Sequence, residues 1–102
     1  MLVYKMNILQ ALNAHGYNTG RIARNAIFGP ADVQKMRENV VLGITGIEKL
    51  CLYLETQPGN IFRMIPDDEY DVLKKAGALK PYEIVSDRYS ENRKRITKIT
   101  AD

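Results

Sequence analysis

The sequence predicts an all-α fold of five short helices, followed by a short C-terminal extension. Three observations support this prediction. Apolar residues recur at i, i+3 and i+4 spacing in several short stretches, Gly and Pro separate those stretches, and 102 residues suffice for one modest core. Apolar residues make up 45% of the chain and charged residues 26%, which excludes wholesale disorder. We place the helical domain in residues 1–66 and the extension in residues 67–102.

The first helix is expected to begin at Asn7 and to end at Gly16. Asn7 followed by Gln10 has the spacing of a capping box. Gly16 followed by Tyr17 is typical of a left-handed helix stop with a hydrophobic contact back onto the helix. The apolar stripe of this helix comprises Ile8, Leu9 and Leu12.

Residues 19–37, TGRIARNAIFGPADVQKMR, predict two short helices joined by a tight corner. Asn18 is a good N-cap for the first helix, and the small Ala23 is expected where the two backbones approach closely. Pro30 suits the first position of the second helix, after the flexible entry at Gly29. The remaining inward side chains are Ile22, Ala26, Val33 and Met36. This pattern is a helix-turn-helix.

The outer side of the second of these helices carries side chains that suit contact with DNA. Gln34 and Lys35 are expected to read or approach bases, and Arg37, Arg21 and Arg24 to hold phosphates. The outer residues of the helix are Pro30, Ala31, Gln34, Lys35 and Arg37. They are short or polar enough to reach base edges and phosphates.

Charge is distributed unevenly along the chain. The net charge of +3 is mild. Basic residues nevertheless outnumber acidic residues in residues 1–45, and acidic residues outnumber basic residues in residues 46–70. A surface that binds phosphates needs this polarity, because displaced counterions supply most of the sequence-independent affinity. The alternative is that these charges form ordinary solvated faces.

The fourth and fifth helices are expected to close the core. Thr45 and Glu48 have the T-x-x-E spacing of a capping box, and a helix N-terminus that points at a duplex favours phosphate oxygens. Pro58 opens the fifth helix and Pro66 ends it. The core-facing residues are Ile44, Ile47, Leu50, Cys51 and Leu54 in the fourth helix, then Ile61, Phe62 and Ile65.

These positions together resemble the Cro/CI-type (phage-repressor-like, XRE-type) helix-turn-helix family. Ile22, Ala23, Val33 and Met36 stand at the offsets that this family uses, and residues 45–62 (TGIEKLCLYLETQPGNIF) look like its fourth helix, loop and short fifth helix. The resemblance covers residues 4–66. It implies a five-helix phage-repressor-like domain that binds double-stranded DNA as a sequence-specific transcriptional regulator, a repressor by analogy, acting as a homodimer.

The resemblance adds two phosphate contacts and shows two departures. In the family, residues just after the recognition helix and at the start of the next helix touch phosphates, which places Asn39, the expected end of helix three, and Thr45 in the site. Many relatives have Gly where this chain has Ile27, and polar residues where it has Pro30 and Ala31. The expected DNA-binding residues are Arg21, Arg24, Pro30, Ala31, Gln34, Lys35, Arg37, Asn39 and Thr45.

The extension has signals for a helix and a strand. Asp67 or Asp68 is expected to cap a short helix that ends at Gly77. Residues 82–85 (YEIV) alternate as a strand does, and would pair with the N-terminal MLVYK in a small two-stranded β element. Two roles stay open for the apolar residues of the extension, a dimer surface or an extra layer on the core. These residues are Tyr70, Leu73, Leu79, Tyr82 and Ile84.

The tail, residues 88–98 (RYSENRKRITK), is strongly basic. It is either an arm that contacts DNA or a solvating tail.

The residues that an enzyme, a metal site or a cofactor site requires are not found in this sequence. With His15 as the single histidine, Cys51 as the single cysteine and no glycine-rich phosphate loop, the sequence predicts no enzyme, no metal site and no cofactor. Cys51 is expected to be an inert core thiol. The chain has no long apolar run, so we expect a cytoplasmic protein that does not enter membranes. The alternative function is a protein-binding adaptor or anti-repressor on the same fold, for which the aromatic Phe28 and the modest charge argue.

Overall fold

A computed structural model describes residues 1–89. It confirms a mostly helical protein with a small antiparallel sheet. The elements in chain order are β1 (Leu2–Tyr4), α1 (Ile8–Ala14), α2 (Thr19–Arg24), α3 (Pro30–Arg37), α4 (Ile44–Leu54), α5 (Pro58–Ile61), β2 (Phe62–Met64), α6 (Asp67–Lys75) and a 3₁₀ helix (Pro81–Glu83). No helix within residues 1–89 is long and apolar enough to cross a membrane.

Local capping signals set where the first three helices begin. The side-chain oxygen of Asn7 accepts a hydrogen bond from the backbone N–H of Gln10 at 3.1 Å, and that of Asn18 accepts from Arg21 at 2.8 Å. Pro30 is the first residue of α3, after Gly29 as N-cap. These three predicted starts are confirmed.

Five helices end with one residue in the left-handed region of backbone space. After α1, for example, the N–H of Tyr17 bonds to the carbonyl of Leu12 at 2.8 Å, which caps the orphan carbonyls as a Schellman motif does. The stops predicted at Gly16, Asn39 and Gly77 are confirmed. The left-handed residues are Gly16, Ala26, Asn39, Glu55 and Gly77.

The small sheet pairs the N-terminal strand with a different segment from the one predicted. β1 runs antiparallel to β2, with Tyr4 opposite Phe62, so the fifth helix ends at Ile61 and the predicted strand over residues 82–85 is wrong. Pro81 instead opens the 3₁₀ helix, and the carboxylate of Glu83 accepts the N–H of Lys80 at 2.8 Å. This local bond closes a turn that alternation alone does not reveal.

The start of α4 also differs from the prediction. Gly43 is the N-cap, so Thr45 lies inside the first turn and forms no capping box with Glu48. Ile44 is 73% exposed, although the apolar stripe had placed it in the core. Gly46 is the buried residue of this turn, and its Cα approaches Leu42 so closely that a Cβ there would lie 2.7 Å from the Leu42 Cβ.

Buried side chains form two cores on opposite sides of β1. Tyr4 belongs to the first core and Val3 to the second, because successive residues of a strand point to opposite faces. The first core packs α1 to α5 together and includes Ile8, Leu12, Ile22, Phe28, Met36, Leu50, Leu54 and Ile61. The second core consists of Met1, Val3, Val40, Ile65, Tyr70, Leu79 and Val85.

The segment after residue 66 folds back as an extra layer. Tyr70 is fully buried and its hydroxyl accepts the N–H of Val85 at 3.0 Å, while Leu73 and Leu79 lie in or against the second core. Ile84 stays 43% exposed. The N-cap of α6 is Pro66, so the caps predicted at Asp67 or Asp68 are wrong: the Asp67 carboxylate binds the Met1 amine at 2.8 Å instead.

Candidate nucleic-acid interface

The corner between α2 and α3 is closed by Ala26. This residue has a φ of 50°, and the N–H of Ile27 then bonds to the carbonyl of Ile22 at 3.1 Å. Both isoleucines are buried in the first core, which supplies the apolar contact that such a helix stop requires. The left-handed residue therefore lies one position before Ile27, and Ile27 itself turns inward.

Lys49 of α4 contacts the corner through its side chain. Its ammonium donates to the carbonyl of Ile27 at 3.1 Å and lies 5.8 Å from the centre of the Phe28 ring. Phe28 is only 2% exposed. It is a core residue, and its burial removes one argument for the adaptor function.

One side of α3 is open to solvent. Met36 is buried and Val33 half-buried, whereas four residues at i, i+1, i+4 and i+7 spacing are exposed. We call these residues the outer face of α3: Pro30, Ala31, Gln34 and Arg37. Lys35, which the sequence places on the same side, is half-buried.

Two exposed arginines end the helices of the corner. Arg24 is the last residue of α2 and Arg37 the last of α3, and both are exposed. Within residues 1–89 neither makes a hydrogen bond or an ion pair with the chain. Cations at helix C-termini are also favoured by the helix dipole, so both side chains are placed at little cost to the fold.

Arg21 has a different role. Its guanidinium donates to the carbonyl of Gly16 at 2.9 Å and lies 4.9 Å from the centre of the Tyr17 ring. Arg21 therefore joins α2 to the end of α1. Its charge is exposed, but its position is fixed by the fold.

The two remaining predicted residues, Asn39 and Thr45, follow α3 in the chain. Asn39 donates both of its amide hydrogens to backbone carbonyls of the C-terminal segment. Thr45 is exposed in the first turn of α4. The basic tail falls almost entirely outside the described residues, so its predicted role stays a prediction.

A groove of about 340 Å³ opens between α2 and α3. Ala23 lines it and is exposed, which corrects the expectation that it fills the closest approach of the two helices. Its short side chain leaves a gap that the neighbouring side chains do not fill. The residues lining the groove are Thr19, Ala23, Ala26, Phe28, Gly29, Pro30, Val33 and Arg37.

Sequence reasoning missed this groove and the part that Thr19 plays in it. The available signal was the pair of small residues Ala23 and Ala26 facing the next helix. Small residues at these positions are compatible both with close packing of α2 against α3 and with an open gap between them.

The same region shows no grouping of metal ligands. Within residues 1–89, no three His, Cys, Asp or Glu side chains lie together in a way that would hold a metal ion.

The chain was compared with protein-family models, with curated proteins and with solved structures, and none of the three comparisons gives a match.

Proposed function

We propose that this protein is a sequence-specific DNA-binding regulator, a repressor of transcription, that inserts the outer face of α3 into the major groove. One observation carries the proposal: Arg24 and Arg37 end neighbouring helices, exposed and without partners in the described chain, and Arg37 belongs to the solvent-open face of α3. Unpaired cations of this kind favour DNA binding, because their contacts with phosphates release counterions from the duplex.

The dimensions of α3 suit this role. An α-helix with its side chains is about 10–12 Å across, which fits the roughly 12 Å width of the major groove, and the eight residues of α3 extend about 12 Å along its axis. Gln34 is the side chain of the outer face that reads adenine through its amide, and Arg37 reaches a guanine or a phosphate. One helix of this length contacts only a few base pairs, so we propose a homodimer that binds two half-sites about one duplex turn apart.

The first experiment is selection from random duplexes by the purified protein at moderate salt, with sequencing of the bound pool. The expected result is a symmetric, two-part motif. A pool without enrichment but with salt-sensitive binding would contradict sequence-specific recognition. Absence of any salt-dependent duplex binding would favour the adaptor function.

The second experiment tests the face itself by charge reversal at matched positions. Arg24→Glu and Arg37→Glu should each weaken duplex binding at least about tenfold, and should lower the salt slope by about one for each lost phosphate contact. Lys75→Glu is the control, because Lys75 is exposed and ends α6 as the two arginines end their helices. If all three variants bind alike, the outer face of α3 is not the DNA surface.

A further inference from the structure

The groove between α2 and α3 opens beside the outer face of α3. Two of its lining residues, Pro30 and Arg37, belong to that face. A molecule that contacts the outer face therefore has direct access to the groove.

The lining of the groove is mostly apolar and includes one basic side chain. The lining residues with polar side chains are Thr19 and Arg37. The apolar part of the lining includes Ala23, Ala26, Val33 and Pro30. Arg24, the residue after Ala23, is exposed but does not line the groove. The matching occupant is anionic overall and presents a small apolar group at this point.

Duplex DNA has this combination of properties. Its phosphates are anionic, and the 5-methyl group of thymine is the apolar group that it exposes in the major groove. We propose that the groove receives the methyl edge of a thymine, so that Ala23 and Pro30 determine sequence specificity together with the polar residues of α3. This inference rests on the proposed DNA-binding function.

The inference also explains the unusual start of α3. Polar side chains at the first positions of a recognition helix bond to base edges, but Pro30 and Ala31 offer none. An apolar start adjoining an apolar groove reads a methyl group by excluding water from it.

Thymine-to-deoxyuridine exchange in the selected site tests the inference, because it removes the methyl group and leaves every hydrogen-bonding group in place. At one thymine in each half-site, the exchange should weaken binding about fourfold, the equivalent of about 0.8 kcal/mol for one buried methyl group. The remaining thymines should tolerate it.

Two matched variants connect that thymine to the groove. Ala23→Leu fills the groove from an exposed helical position, so it should weaken binding and abolish the difference between the thymine and deoxyuridine duplexes. Ala14→Leu makes the same change at an exposed position of α1 that does not line the groove, and should retain the fourfold difference. Circular dichroism and thermal unfolding of both variants verify that they fold.

The outcomes separate this inference from the function on which it rests. If the selected duplex is bound but every thymine tolerates the exchange, the groove assignment is overturned and the DNA-binding function stands. If Ala23→Leu keeps the fourfold difference, the methyl group is read elsewhere, and the assignment is likewise overturned. If no duplex is bound at all, both proposals fail.

Discussion

Asn39 donates its side-chain amide to the carbonyl oxygen of Ile84 at 2.9 Å, and to that of Pro81 at 3.0 Å. The same residue ends α3 with a φ of 61°. One side chain thus terminates the candidate recognition helix and fastens the C-terminal segment to it. Because both amide hydrogens are committed to the chain's own carbonyls, we assign Asn39 to the fold and no longer to phosphate binding.

Substitution of Asn39 should separate its two contributions. Asn39→Gly keeps the left-handed conformation and loses the two hydrogen bonds, so it should lower the free energy of unfolding by about 1–2 kcal/mol. Asn39→Ala should cost about 1 kcal/mol more, because a Cβ disfavours that conformation. Urea denaturation of both variants measures the difference.

The DNA affinity of Asn39→Gly, measured over a salt series, provides the control. We expect an unchanged salt slope. A slope reduced by about one would return Asn39 to the set of phosphate ligands.

Ala26→Gly should stabilise the protein. Ala26 has a φ of 50°, a conformation that glycine adopts without the steric cost of a Cβ, so the gain should be about 0.5–1 kcal/mol. Ala14→Gly, in the ordinary helical conformation of α1, should instead destabilise by up to about 1 kcal/mol. Thermal unfolding of the two variants should therefore shift in opposite directions, and a parallel shift would contradict the left-handed corner.

Gly46→Ala should destabilise although it lies within a helix. The added Cβ would lie 2.7 Å from the Leu42 Cβ, and such overpacking typically costs about 1–3 kcal/mol, which exceeds the gain in helix propensity of about 1 kcal/mol. Gly59→Ala is the matched control in α5, since a Cβ there meets nothing within 4 Å. We expect Gly59→Ala to be neutral or stabilising in the same urea experiment. Equal effects at the two glycines would contradict the close contact with Leu42.

Stability should fall at acidic pH through Glu83. Burial raises the pKa of this carboxyl group, but the hydrogen bond from the Lys80 N–H and the Arg63 guanidinium at 2.7 Å outweigh burial and lower the pKa below its usual value. The resulting stabilisation of the folded state is complete above the pKa of a Glu side chain in the unfolded state, about 4.3. It is lost as the pH falls through the lower pKa of the folded state.

Glu83→Gln should remove this pH dependence. The amide keeps the shape of the side chain but carries no charge, so the variant should be less stable by about 1 kcal/mol at pH 7, allowing for the half-exposed Arg63, and should match the parent near pH 2. Urea denaturation between pH 2 and pH 7 follows the convergence. A constant difference across that range would show that Arg63 and Glu83 are not coupled in the folded state.

The features that the sequence predicted correctly are local. Asn7 and Asn18 cap their helices through the backbone N–H three residues later, and Gly16 ends α1 where Tyr17 bonds to Leu12, five residues earlier. Each depends on residues within five positions of one another, so the short sequence pattern contains the whole interaction.

The features that it predicted wrongly depend on packing that apolar spacing alone does not reveal. Apolar spacing placed Ile44 in the core, but the inward position of this turn is taken by Gly46, whose lack of a side chain lets it pack closely against Leu42. Residues 82–85 have strand propensity, but the partner of β1 is β2, which directly precedes α6. The groove beside Ala23 depends on how far apart two helices lie, which no single stretch of sequence specifies.

The position of β1 between the two cores has a consequence for how the molecule folds. Its pairing with β2 closes a loop of roughly 60 residues, at an entropic cost of roughly 4 kcal/mol. Neither core is complete until this strand docks, because Tyr4 fills one and Val3 the other. Helices of four to eleven residues are marginal on their own and depend on tertiary packing, so we expect docking of this strand to couple the helices and both cores in a single cooperative transition.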